Sequence, residues 1–328
     1  MKCINKWICL SLLIAVSCVS GCGKTSAVIE QPYDVYATAA DFGLSSNGSA
    51  EAKSYFASDL CVSEDVAIGT DSTDSQVAEG AGTFNLETNT VVYAKNLYER
   101  LYPASTTKIL TAYIALKYCD DLDAMVTVSE NAVNQASDSS VCNLKAGDVI
   151  RLRDLLYGLM LRSGNDAAIA IAETIGGSEE GFAKLMNEKA AALGATHSHF
   201  VTPHGLHEDD HYTTVYDMYL IFSNAIKNDT FVSIIGTTSY DVTYTDASGE
   251  AVTHTWENTN QYLTGNATTP DGFQIVGGKT GTTGEAGYCL VLYSYNPSGQ
   301  PIISIVFKAD GKSNLYLLMN EMLQGFAI

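Results

Sequence analysis

Three short polar clusters, each flanked by apolar residues, carry the types and spacing that chemistry needs. Pro103-Ala104-Ser105-Thr106-Thr107-Lys108 sets a serine and a lysine three residues apart at the start of an apolar helical pattern. A serine is a weak nucleophile until an adjacent base takes its proton, and a lysine three residues on lies over the same helical face. Ser163-Gly164-Asn165 breaks two apolar helical patterns and adds a second hydroxyl and an amide. Gly278-Lys279-Thr280-Gly281-Thr282-Thr283-Gly284 follows a strand-like Phe273 to Val276 and brings a second lysine with three hydroxyls. Singly, each has a bland reading: a capping serine with a solvated lysine, a turn, a Gly-rich hairpin. Together they form an ordered set, with Ser163 58 residues after Ser105 and Lys279 116 residues after Ser163.

The elements that must position these clusters follow from periodicity. Thr83 to Leu86 and Val91 to Ala94 read as a β-hairpin. Helices are expected from Ser105, over Arg151 to Leu161, Asp166 to Ile175 and Phe182 to Leu193, and after a cap at Thr213 or Thr214. Beyond about residue 230 the pattern turns to strands: Ser239 to Tyr244, Val252 to Trp256, Phe273 to Val276, Gly287 to Tyr295 and Pro301 to Phe307. A last helix runs from about Ser313, with Leu315, Leu318, Met319, Met322 and Leu323 on one face. Hairpin, helical middle, strands and final helix suit an α+β fold in which helices pack a sheet and a helical lobe is inserted.

Composition narrows the class. The chain has 328 residues, 46% hydrophobic and 17% charged, which excludes a disordered or fibrous protein. Lys+Arg 18 against Asp+Glu 37 gives −19, and with no local basic patch nucleic acid is not an expected partner. Lys2 and Lys6 precede an apolar run, Trp7 to Val19, that is too short to span a bilayer and reads as a signal peptide. Val19-Ser20-Gly21-Cys22 resembles a bacterial lipobox. Residues 1–21 are therefore expected to be removed, Cys22 to be lipidated, 22–54 to form a flexible tether, and 55–328 to form the catalytic domain. Cleavage would leave 328 − 21 = 307 residues with a charge of 16 − 37 = −21. Of eight cysteines, Cys61, Cys119, Cys142 and Cys289 would remain. Their spacing fits no zinc pattern, their number permits disulfides in any of three pairings, and they read as small buried thiols.

Ser-x-x-Lys, Ser-x-Asn and Lys-Thr-Gly in this order resemble the signature of penicillin-recognising serine enzymes, the penicillin-binding proteins and serine β-lactamases. Flanking runs resemble the low-molecular-mass D-alanyl-D-alanine carboxypeptidases (peptidase family S11): Tyr93-Ala94-Lys95-Asn96, Asn165-Asp166-Ala167-Ala168, His204-Gly205-Leu206, Asn258-Thr259-Asn260 and Ala286-Gly287. The resemblance covers about residues 80 to 325. It implies a penicillin-binding-protein/β-lactamase-like fold with a mainly antiparallel sheet flanked by helices. It also implies that Ser105 is the acylated nucleophile, Lys108 its general base, Ser163 a proton shuttle to the leaving amine, and Asn165 an orienter of the peptide. Lys279, Thr280, Gly281 and Thr282 would hold the substrate's terminal carboxylate along a strand edge, and the Ser105 and Thr282 N–H groups would form the oxyanion hole. Two lysines converging on one pocket should lower each other's pKa. The implied partners are peptidoglycan stem peptides ending in D-Ala-D-Ala, β-lactams as inhibitors, and the outer face of the cytoplasmic membrane through the lipid anchor. No metal or organic cofactor is implied.

Two departures stand out. Many family members carry a second, β-rich C-terminal domain and an amphipathic anchor helix, whose place the lipidated Cys22 would take. All four arginines, Arg100, Arg151, Arg153 and Arg162, precede Ser163, so an arginine clamp from the C-terminal half is missing. Among rivals, a class A β-lactamase needs a deacylating glutamate near position 199, yet Ala190 to Gly205 holds no acid. His207-Glu208-Asp209-Asp210-His211 fits the zinc motif H-E-x-x-H, but lacks an apolar helical face and reads as a polar loop. A P-loop fails because Phe273 stands where its first glycine belongs. A catalytically silent penicillin-binding lipoprotein would retain all these motifs and differ only in turnover.

Overall fold

Asn85, at the end of the first strand, accepts the backbone N–H groups of Glu87 and Thr88 at 3.0 and 3.1 Å and so closes the expected hairpin. The computed structural model describes residues 57–137 and 139–328. The expected signal segment and Cys22 lie outside the described residues. Asp59–Ile328 form one compact unit.

In chain order the elements are β1 (Ala78–Asn85), β2 (Thr90–Lys95), α1 (Lys108–Tyr118), β3 (Met125–Thr127), α2 (Glu130–Val133), β4 (Val149–Arg151), α3 (Leu152–Tyr157), α4 (Asn165–Gly176) and α5 (Glu179–Ala192). Then come α6 (Val215–Ala225), α7 (Asp229–Ile235), β5 (Ser239–Thr245), β6 (Ala251–Glu257), β7 (Gln274–Thr283), β8 (Gly287–Tyr295), β9 (Pro301–Ala309) and α8 (Lys312–Phe326). One antiparallel sheet has the order β2-β1-β9-β8-β7, and a smaller one the order β3-β4-β5-β6. Pairing of β1 with β9 joins the N-terminal hairpin to the last strand. The expected α+β architecture is thus observed.

β8 and β9 are central and buried on both faces. Cys289 and Val291 of β8, with Ile303, Ile305 and Phe307 of β9, pack toward the helical lobe. Leu290, Leu292, Ile302 and Val306, one residue out of phase, pack against Leu315, Leu318, Met319, Met322 and Leu323 of α8. The two-residue period of a strand explains why these segments read as continuous apolar runs. Caps form where small polar residues stand: Ser178 Oγ accepts from Gly181 N, and Thr214 Oγ1, rather than Thr213, accepts from Asp217 N.

Three local readings need correction. The helix expected from Ser105 begins at Lys108, and Ala104–Thr107 is a tighter 3₁₀ turn. The helix expected through Leu161 is α-helical only to Tyr157, then widens into a π turn over Gly158–Arg162. The Lys-Thr-Gly run does not follow a strand but lies inside β7. All four described cysteines are free thiols, with Cys61, Cys142 and Cys289 buried and Cys119 half-buried.

Asp166, at the start of α4, is 1% exposed. Its carboxylate accepts backbone N–H groups from Cys142 (2.9 Å), Leu144 (3.2 Å) and Ala167 (2.8 Å), which pins the 140–144 loop beside Asn165. Asp166→Ala strands these donors without water and lowers the unfolding free energy by about 3 kcal/mol or more. Urea denaturation reads this directly, and a loss below about 1 kcal/mol would mean the loop is held by other contacts.

Candidate active site

Ser105 sits half-buried on the 3₁₀ turn, directly after Ala104, whose φ of 47° is left-handed. Non-glycine residues in that region store strain that the surroundings must hold. Here Gly205, itself at φ +83°, packs against the Ala104 carbonyl so closely that a Cβ would overlap it. Lys108 opens α1 and is 0% exposed. Its Nζ lies 3.0 Å from Ser105 Oγ, 2.8 Å from Asn165 Oδ1 and 2.9 Å from the His204 carbonyl. A neutral amine has two N–H groups and one lone pair. Asn165 Oδ1 and His204 O are placed to accept both protons, and in that neutral state the lone pair is left for the Ser105 hydroxyl, whereas a protonated amine donates to Ser105 Oγ as well. Burial, then the nearby Lys279, drive the Lys108 pKa well below its ordinary value.

The π turn ends at Ser163, also left-handed at φ 60°. Backbone bonds from Gly164 N to Gly158 O (3.1 Å) and from Asn165 N to Ser140 O (2.8 Å) hold the turn. Ser163 Oγ accepts from Lys279 Nζ at 3.0 Å, and the same amine donates to Thr280 O at 2.8 Å. Lys279 is 1% exposed, and burial brings its pKa down to about 7. The expected mutual lowering of the two lysines is therefore secondary for Lys108 and has no part in Lys279, where burial acts alone.

β7 is an edge strand, with an unpaired row of backbone groups beside Ser105. Gly281 permits the approach: a Cβ there would stand 2.9 Å from Ser105 N and 3.0 Å from Pro103 O and Thr106 N. A cleft of about 230 Å³ opens over Ser105, Ser163, Thr280, Gly281 and Thr282. Thr280 Oγ1 meets Thr259 Oγ1 at 2.6 Å, and Thr282 Oγ1 donates to Gly281 O at 2.7 Å. Asn165 is 2% exposed, with its side-chain oxygen turned to Lys108. Lys108, Asn165 and Lys279 thus stand behind the cleft wall, while the hydroxyls face it.

Sequence reasoning passes over several residues. Ser140, Thr259, Tyr288 and Lys312 line the cleft, and the His204 carbonyl holds Lys108. Of these, only Thr259 and His204 lie in runs that the family resemblance marks. The H-E-x-x-H segment is a loop between α5 and α6. His211 is 2% exposed: Nδ1 accepts from Val201 N at 3.0 Å, so Nε2–H faces Thr107 Oγ1 at 2.9 Å. Burial lowers its pKa to about 3. Both nitrogens are spent tying the 201–205 strap to the residue next to Lys108. Arg162 is exposed and does not line the cleft.

An edge strand beside a serine, with two buried lysines behind it, fits the penicillin-recognising class that the sequence motifs resemble. The chain belongs to the D-alanyl-D-alanine carboxypeptidase family, peptidase family S11, whose model matches residues 69–311. It is 35% identical over 251 residues to D-alanyl-D-alanine carboxypeptidase DacF of Bacillus subtilis, covering 75% of this chain and 61% of that one. It is 34% identical over 265 residues to the D-alanyl-D-alanine carboxypeptidase of Streptomyces sp. strain K15, covering 76% of this chain and 88% of that one. The crystal structure of the Streptomyces K15 DD-transpeptidase superposes with a TM-score of 0.71 at 33% identity, covering 77% of this chain and 98% of that one.

Two outcomes follow from the geometry. Lys279 titrates at about 7 in the folded protein, against about 10.4 unfolded, so between those values the unfolded chain binds the extra proton and stability rises with pH. Lys279→Met removes that dependence, so denaturant midpoints of the variant fall relative to wild type as pH climbs from about 7 to about 10. A pH-independent difference would show Lys279 to be charged throughout. Gly281→Ala forces β7 away from the serine turn and slows acylation about 100-fold, read by stopped-flow with a chromogenic β-lactam.

Proposed function

We propose that this chain is a serine D-Ala-D-Ala carboxypeptidase that removes the terminal D-Ala from peptidoglycan stem peptides through an acyl-enzyme on Ser105. The observation that carries the reading is the buried Lys108 amine, 3.0 Å from Ser105 Oγ. Lys108 Nζ takes the hydroxyl proton as Ser105 Oγ attacks the penultimate D-Ala carbonyl. The Ser105 and Thr282 N–H groups receive the developing oxyanion. The hydrogen-bonded Ser163 and Lys279 return a proton to the departing D-Ala amine, and Asn165 holds Lys108 in register. Thr280, Gly281 and Thr282 form the wall along which the substrate's C-terminal end lies, and Lys279 supports it from behind through the Thr280 carbonyl.

The amide bond of a β-lactam fits the same cleft and acylates the same serine. Hydrolysis releases the peptide when water is the acceptor. The solved Streptomyces relative is named a DD-transpeptidase, which points to a second reading, in which an amine takes the acyl group instead. Export under the signal segment and lipidation at Cys22 would place the domain on the outer face of the cytoplasmic membrane. No helix among the described residues is long and apolar enough to cross a membrane.

Incubation of residues 23–328 with penicillin, followed by intact mass, should give one penicilloyl adduct that Ser105→Ala lacks. D-Ala release from a D-Ala-D-Ala peptide, with and without a glycine acceptor, then divides hydrolysis from transfer. No adduct and no D-Ala would sink the reading, and rapid drug hydrolysis without a trapped adduct would indicate a β-lactamase.

A further inference from the structure

We propose that Lys312, the first residue of α8, is the cation that recognises the substrate's terminal carboxylate, an inference that rests on the carboxypeptidase reading of the cleft. Of the residues lining the cleft, Lys312 alone carries a charge. The two motif lysines stand behind the wall. Lys108 is committed to Ser105, Asn165 and His204, and Lys279 to Ser163 and the Thr280 carbonyl. An incoming carboxylate therefore meets hydroxyls and one ammonium.

The placement of Lys312 is set by the helix that carries it. Lys312, Leu315 and Tyr316 fall at i, i+3 and i+4, and all three line the cleft, so this face of α8 forms part of its wall. Tyr316 is anchored there by accepting Gln261 N at 2.9 Å, just beyond Thr259. The lysine is exposed and, among the described residues, has no hydrogen bond or ion pair. It also opposes its own helix: a cation at the positive end of a 15-residue helix, with no acid in the first turn, costs stability rather than adding to it. Asp310, the nearest acid in sequence, is hydrogen-bonded to Asn314 at 2.7 Å and lines the neighbouring groove, not the cleft. With no arginine after Arg162, a carboxylate-reading guanidinium from β7, β8, β9 or α8 is excluded by sequence. A lysine offers a point charge on a flexible stem where an arginine would offer a planar fork.

The test compares an N-acylated tripeptide ending in D-Ala-D-Ala with the same peptide ending in a C-terminal amide. Wild type should favour the free carboxylate. Lys312→Ala should raise KM for the carboxylate peptide about tenfold, with the loss in KM rather than kcat, because the contact is kept from ground state to transition state. The ratio of kcat/KM between the two peptides should shrink by the same factor, and Lys312→Arg should restore it. An unaltered ratio in Lys312→Ala would overturn the assignment. Failure of wild type to release D-Ala from the carboxylate peptide and D-alaninamide from the amide peptide would instead overturn the reading beneath it.

Discussion

The structure depends on burying an amine beside a hydroxyl, where its charge is disfavoured. Lys108 is wholly enclosed at the head of α1, where an ammonium would need three acceptors and full solvation. The site offers Asn165 Oδ1, His204 O and the Ser105 hydroxyl, and no contact with bulk solvent. Burial disfavours the ammonium, and in the neutral amine the first two acceptors leave the lone pair for Ser105. Much of the neighbouring structure serves this one atom. Asp166 fixes the start of α4 and hence Asn165, while His211 and Gly205 fix the strap that presents the His204 carbonyl. Lys279, held at the same depth, discourages a proton on Lys108 further.

The second constraint is a distance. A serine on a tight turn reaches a substrate laid on a sheet edge only if turn and strand touch. Gly281 makes that contact possible, because any side chain there would press on the Ser105 amide from within 3 Å. The same contact brings the backbone of the turn and of the strand together beside Ser105. Strained residues then become intelligible: Ala104 and Ser163 adopt left-handed conformations because turn, π bulge and strand are each fixed by their own packing.

The sequence disclosed the side chains gathered at the cleft more fully than the framework holding them. Ser105, Lys108, Ser163 and Lys279 were legible because the chemistry fixes residue type and spacing, and the hairpin, α8 and the strands β8 and β9 because their apolar periods are long. What remained hidden was set by tertiary contact. The π turn over Gly158–Arg162 has an ordinary helical pattern and differs only in how it is packed. β7 was placed too early because its glycines suppress the strand signal, although those glycines exist for close approach. The segment holding His211 is the loop its polarity predicts, but the burial of the imidazole was hidden because its partners, Thr107 and Val201, lie 104 and 10 residues away.

The distribution of charge follows from the same economy of protons. A proton-transfer chain works best when its members sit near neutrality, and burial brings both motif lysines toward it. Groups tuned in this way are poor fixed charges, since small changes in surroundings alter their ionisation. Binding an anion needs the opposite: an ordinary, solvated cation whose charge is constant through the reaction. One amine cannot meet both demands. The proposed division of labour, with buried lysines moving protons and an exposed Lys312 holding charge, meets both demands in a cleft with no arginine on its C-terminal side.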